Sequence, residues 1–155
     1  QTLYKALFGY SYSFEIPANP LNKLGTAKGL LTGGNLSIIN SMIGSVSEVN
    51  MFNKILFIED VGEDLYRVDR MMYTLKRTGA LKNLKGIIVG DFDYDIKKDT
   101  LFGGSHREII LNAVKDYNYP VLFDFPAGHV RDNRSLIFGK EIHIEVNETN
   151  PKIGY

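Results

Sequence analysis

The residues able to do chemistry in this sequence stand just past short apolar runs. Glu59 and Asp60 follow Lys54-Ile-Leu-Phe-Ile58, Gly90 and Asp91 follow Lys85-Gly-Ile-Ile-Val89, and Asp124 precedes the segment Phe125-Pro-Ala-Gly-His129. A carboxylate at one strand end and a histidine at another form an orienting pair when they meet: the acid fixes the tautomer of the imidazole and stabilises the imidazolium formed when the ring takes a proton. Gly128 directly before His129 gives the backbone the freedom to turn and present the ring. Each residue also has a simpler reading. A loop histidine is more often a surface or structural group, and an acid at a strand end commonly caps the next helix, where the dipole favours it.

The remaining candidates carry less. Gly33-Gly34-Asn35 reads as a tight turn with Asn35 as N-cap, and the free N–H groups of such a turn can also grip an anion such as a substrate carboxylate. Asp91, Asp93 and Asp95 alternate like the start of a calcium loop, but Ile96 stands where Gly belongs and Phe102 where the bidentate Glu belongs. His106 falls at a helix start, and His143 lies between Glu141 and Glu145 on a solvent face. With three histidines, no cysteine and no His-Glu-x-x-His run, no zinc motif is present.

Positioning such a pair needs a rigid frame, and the pattern supplies one. The continuous apolar runs at 54–58, 85–89 and 120–123 suit strands buried on both faces. Helical spacing separates them: Leu65, Val68, Met71, Met72 and Leu75 closed by Gly79, then Ile109, Ile110, Ala113, Val114 and Tyr117 behind the capping box Ser105-His-Arg-Glu108. Strands alternating with helices signal βαβ units and a parallel sheet, whose functional groups gather beyond the carboxyl ends of the strands. A strand over 28–32 stopped by Gly33-Gly34 leads into a short helix with Leu36, Ile39, Met42 and Ile43 on its apolar face. Tyr10 to Ile16 and Lys140 to Val146 alternate apolar with polar, which predicts an additional antiparallel layer.

Composition bounds the function. Eighteen basic against eighteen acidic residues give a formal net charge of zero, which argues against a nucleic-acid or anionic-membrane surface. No apolar run approaches the roughly 18–20 residues that span a bilayer. Absence of cysteine excludes disulfides, thiolate metal sites and cysteine nucleophiles. The length fits one domain over 1–155, and the opening Gln1-Thr2-Leu3 reads like the middle of a longer protein.

The ordered set Gly33-Gly-Asn-Leu36, Ile55-Leu-Phe-Ile-Glu-Asp-Val-Gly-Glu63, Tyr66-Arg-Val-Asp-Arg-Met71, Gly86-Ile-Ile-Val-Gly90 and Phe125-Pro-Ala-Gly-His129 resembles the C-terminal half of the serine-type LD-carboxypeptidases. These are the muramoyltetrapeptide carboxypeptidases, with microcin-immunity peptidases as relatives. The resemblance runs from about Gly29 to Val146. It implies an α/β fold of the swivelling β/β/α type, a mixed sheet with parallel βαβ units plus an antiparallel layer. It implies a cytoplasmic, cofactor-free and metal-free enzyme of cell-wall recycling that releases the terminal D-alanine of a murein tetrapeptide through a Ser-Glu-His triad. Within that triad Glu59 matches the acid and His129 the base, and the match sets Asn35 near the cleft. Strand-end position together with the match favours Glu59 over Asp60 and Glu63.

The family's serine lies in a Gly-x-Ser-Asp turn of an N-terminal domain. None of the eight serines here is followed by Asp, so the nucleophile domain is expected as a missing partner and the chain alone as inactive. Family members are often homodimers, which makes a second copy another implied partner. Two rival readings stand beside this one: a non-catalytic binding or dimerisation module with the same fold, and a hydrolase using His129 with Asp124 or Asp91 and an external metal.

Overall fold

The computed structural model describes residues 2–93 and 104–155, so Asp95, Ile96 and Phe102 of the calcium-loop comparison lie outside the described residues. The elements run α1 Thr2–Leu7, β1 Ser13–Glu15, β2 Gly25–Asn35, α2 Leu36–Ser41, β3 Ile55–Val61, α3 Leu65–Arg77, β4 Gly86–Asp93, α4 His106–Val114, β5 Val121–Leu122, β6 Glu141–Val146 and β7 Lys152–Gly154. Seven strands join in the order β1-β7-β6-β2-β3-β4-β5. The β2–β3, β3–β4 and β4–β5 pairs are parallel, while β2–β6, β6–β7 and β1–β7 are antiparallel. The fold is therefore mixed α/β, with the parallel units and the antiparallel layer in one hydrogen-bonded series.

β2 is the hinge of that series. Its residues Gly25 to Leu30 pair with β6, and Leu31 to Asn35 pair with β3. Strands lie about 4.8 Å apart, so a flat sheet would hold β6 and β4 roughly 14 Å apart, three strand spacings. Instead, a Cβ on Gly86 of β4 would come within 2.7 Å of Ile144 Cδ1 on β6. The sheet folds over at β2, and the antiparallel half packs on the parallel half. One apolar cluster fills that seam, with Phe14, Ile55, Phe57, Ile88, Phe125, Ile142, Ile144 and Ile153 among its members. A second cluster lies on the other face of the parallel strands, where Leu36, Leu65, Val68, Met72, Leu75, Ile110 and Val114 bring in α2, α3 and α4. The layers are β, β and α.

Local signals explain the helices. Asn35 caps α2 by accepting from Ile38 N, and Ser105 and Glu108 form the capping box of α4. α4 ends at Val114, so Tyr117 lies beyond it. Several boundaries differ from the sequence expectation. Gly33-Gly34 does not stop β2, which pairs with β3 as far as Asn35. With φ of +124° and +142° these glycines hold a conformation closed to other residues while staying in the ladder. β3 and β4 run past Ile58 and Val89, so the acids stand inside the strand ends rather than after them. The first strand shortens to Ser13–Glu15, though Tyr12, Phe14 and Ile16 keep the expected buried alternation. Among the described residues no helix is long and apolar enough to cross a membrane.

Candidate active site

The carboxyl ends of β2, β3 and β4 and the segment after β5 converge. Neighbours along a strand face opposite sides of the sheet. Glu59 therefore shares the side of Phe57, facing the β seam, and Asp60 shares the side of Ile58, facing α2. The β3–β4 register shifts between Ile58 and Asp60, pairing Ile58 with Val89 but Asp60 with Phe92. Two residues of β4, Gly90 and Asp91, thus oppose the single Glu59, a bulge of the kind that re-aims a side chain.

The segment after β5 is laid against that bulge. Phe125 N donates to Val89 O (3.0 Å), and Asp91 N donates to Ala127 O (2.9 Å). The Phe125 ring is buried and meets Phe14 and Phe57 edge-on at centroid distances of 5.2 and 6.4 Å. A side chain on Gly90 would strike Ala127 O at 2.4 Å, so glycine is what lets the segment come this close. Gly128 has φ +130°, and a Cβ there would stand 3.0 Å from Asp91 Cβ and 3.3 Å from Glu59 Oε2. From the outer side Asn133 Nδ2 donates to Gly128 O (2.9 Å) and Arg134 N to Pro126 O (2.8 Å).

This framework puts His129 Nδ1 3.3 Å from Glu59 Oε2. The Glu59 side chain is 11% exposed and the His129 ring 54% exposed. A withdrawn carboxylate thus sits behind a ring that faces solvent, with Nε2 across the ring from the contact. Oε2 makes no hydrogen bond among the described residues, so its contact with His129 is ionic in range without hydrogen-bond alignment. A buried carboxylate oxygen left this way costs free energy and is the kind of exception that marks a functional group. Close by, burial pushes the Asp91 carboxyl above its ordinary range and the charge of Asp93 adds to this, while His129 and Arg107 pull it back.

The other acids are engaged elsewhere. Asp60, 2% exposed, accepts from Asn35 Nδ2, Ser37 N and its own neighbour Val61 N, each at 2.9 Å. Glu63 pairs with Arg67 at 3.5 Å. Asp124 accepts from Arg107 Nε (2.9 Å) and from Asn19 Nδ2 (2.6 Å). Asn35 stands beside Glu59 in the β2–β3 ladder, and its side chain is taken up by Asp60, Ser37 and Ile38. His143 is exposed on β6. His106, by contrast, is buried and stacks on Phe92 at 4.9 Å. A cavity of about 220 Å³ beside the His129 segment is lined in part by Asp91, His106, Arg107 and Asp124. Sequence reasoning left out the structural work of Asp60 and Gly90. The strand alternation of Glu59 and Asp60 was the available signal for the first.

Three comparisons bear on this arrangement. The family model described as the LD-carboxypeptidase C-terminal domain matches residues 28–144. The chain is 33% identical over 150 residues to the probable murein peptide carboxypeptidase of Bacillus subtilis, covering 94% of this chain and 46% of that protein. It is 30% identical over 133 residues to the murein tetrapeptide carboxypeptidase of Pseudomonas aeruginosa, covering 83% of this chain and 43% of the other. The crystal structure of muramoyltetrapeptide carboxypeptidase from Oxalobacter formigenes superposes with a TM-score of 0.87 at 25% identity, over 99% of this chain and 52% of that one. The chain spans about half the length of the relatives it matches.

Proposed function

This chain belongs to the LD-carboxypeptidase C-terminal domain family, and from that membership we propose that it supplies the base and the orienting acid of a serine peptidase whose nucleophile comes from another domain. The reaction is hydrolysis of an L,D-peptide bond, with release of the terminal D-alanine of a murein tetrapeptide in cytoplasmic cell-wall recycling. His129 Nε2 takes the proton from the serine hydroxyl as its oxygen attacks the peptide carbonyl, and then gives that proton to the departing amine. Loss of the amine leaves an acyl-serine ester; His129 Nε2 then takes a proton from the water that attacks it and returns that proton to the serine oxygen as the shortened peptide departs. Glu59, 3.3 Å from Nδ1, favours the tautomer that carries Nδ1–H and leaves Nε2 basic, and stabilises the imidazolium between the two transfers. Asn35 borders the substrate's path beside Glu59, with its amide held by Asp60.

The observation that carries this reading is the 3.3 Å approach of a buried glutamate to an exposed imidazole at the carboxyl ends of the parallel strands. The relatives named as a probable murein peptide carboxypeptidase and a murein tetrapeptide carboxypeptidase supply the substrate class. The test joins this chain to the nucleophile-bearing N-terminal domain of a relative and measures D-alanine release from a murein tetrapeptide. The joined protein is expected to turn over and the 155-residue chain alone to be inactive. Release by the chain alone, or an unchanged rate in the joined protein carrying His129→Ala, would overturn the proposal.

A further inference from the structure

We propose that Asp60 is a positioning residue for Glu59: its buried carboxylate locks the end of β3 to the first turn of α2 and thereby fixes the aim of the adjacent glutamate at His129. The inference rests on the Glu59–His129 reading above, although the contacts that motivate it lie on the opposite face of the strand.

Asp60 is 2% exposed and accepts three hydrogen bonds of 2.9 Å. Two come from outside its own strand. Asn35 Nδ2 reaches Oδ1 from the end of β2, and Ser37 N reaches Oδ2 from the first turn of α2. A charged acceptor makes these contacts short and directional. They matter because the other flank of Glu59 is loose. On the β4 side the bulge sets Gly90 and Asp91 against Glu59, so regular ladder pairing lapses at the residue whose aim is critical. On the β2 side the ladder partner of Glu59 is Asn35, the residue whose amide Asp60 holds.

The oxygen of Glu59 that faces His129 is not anchored by a hydrogen bond of its own among the described residues. Its approach to His129 is already 3.3 Å. Backbone placement at 59–60 is therefore what keeps the two groups in range, and a displacement of about 1 Å is enough to matter at such a site. Alternation completes the device. Asp60 grips α2 from the face opposite the seam, where its neighbour Glu59 points, so two consecutive acids divide the work between holding and orienting.

The test reads the neutral ring of His129 in the 155-residue chain by long-range ¹⁵N–¹H NMR, which reports the nitrogen that carries the proton. The wild-type chain is expected to favour Nδ1–H, and Glu59→Ala to shift the ring toward Nε2–H. Asp60→Asn, which turns an N–H donor toward Ser37 N, is expected to lower the Nδ1–H fraction by at least about two-fold in a folded chain. Asn35→Ser keeps a capping hydroxyl, removes the amide donor to Asp60, and should shift the ring in the same direction. A carboxylate that only stabilised the fold would lower the melting temperature and leave the tautomer ratio alone.

If Glu59→Ala shifts the ring while folded Asp60→Asn and Asn35→Ser keep the wild-type ratio, the role of Asp60 is overturned and the Glu59–His129 pair stands. Should Glu59→Ala leave the ratio unchanged, the pair falls and this inference with it. If Asp60→Asn does not fold, Asn35→Ser decides alone.

Discussion

Glu59 and His129 stand in different environments. Glu59 is withdrawn behind the strand ends, while the His129 ring 3.3 Å away faces water. Another histidine shows what burial does. Burial in α4 and then the charge of Arg107 drive His106 down from 6.5 to about 4, against the opposing charge of Asp124. The unfolded chain therefore takes the proton first as pH falls. The contribution of His106 to stability is whole above about 6.5 and is lost on the way down to about 4, with a full swing on the order of 3 kcal/mol. Thermal melts of the wild-type chain should fall across that window, and His106→Phe, which keeps an aromatic ring against Phe92, should fall less. Parallel pH profiles for the two proteins would refute the assignment. At this scale Glu59 and His129 were legible as candidates because chemistry gathers at strand ends and Gly128 precedes the histidine. That Glu59 and Asp60 face opposite sides of the sheet was legible only in principle, since it needs β3 to continue through both residues. His106 was read as an ordinary helix-start residue, because a stack on Phe92, fourteen positions away in sequence, leaves no local trace.

Close backbone approach brings these residues together, and glycine permits it at Gly33 and Gly90. Gly33 lies so close to β3 that an added Cβ would stand 1.9 Å from Phe57 O, whereas one on Gly34 would meet nothing within 4 Å. Both hold positive φ. Gly34→Ala should therefore cost backbone strain alone, about 1–3 kcal/mol, while Gly33→Ala adds a clash with the carbonyl two residues before Glu59 and should cost at least about 3 kcal/mol. Denaturant unfolding of both variants checks the order, and equal losses would contradict it. The same pair shows why element boundaries were only partly readable. A double glycine ordinarily ends a strand, and composition cannot separate a glycine that ends a strand from one that lets it approach its neighbour. β7 has three residues, too few for a period, and α1 buries none of its residues, so neither carried a pattern. The long buried strands, the capped helices and the alternation of Tyr12, Phe14 and Ile16 were readable because burial imposes periodicity on sequence.

On the scale of the whole molecule, the fold-over at β2 gives the site its back wall. It stacks the β6–β7–β1 layer on the parallel strands and seats Phe57 and Phe125 in one seam, beneath the segment that carries His129. The alternating strands announced an antiparallel layer, but the contact of Gly86 with Ile144 depends on two strands far apart in sequence and could not be read from either. The layers explain how one chain can hold Glu59 and His129 within 3.3 Å of each other while leaving the ring exposed. The central claim is that Glu59 acts through His129, and a double-mutant cycle tests it most directly. In the chain joined to a relative's nucleophile domain, kcat/KM for murein tetrapeptide is measured for Glu59→Gln, His129→Gln and the double variant. Groups that act as a unit are non-additive, so His129→Gln should lose roughly 10²–10⁴-fold and the double variant about the same. Losses that multiply, or a His129→Gln protein with the wild-type rate, would contradict the account.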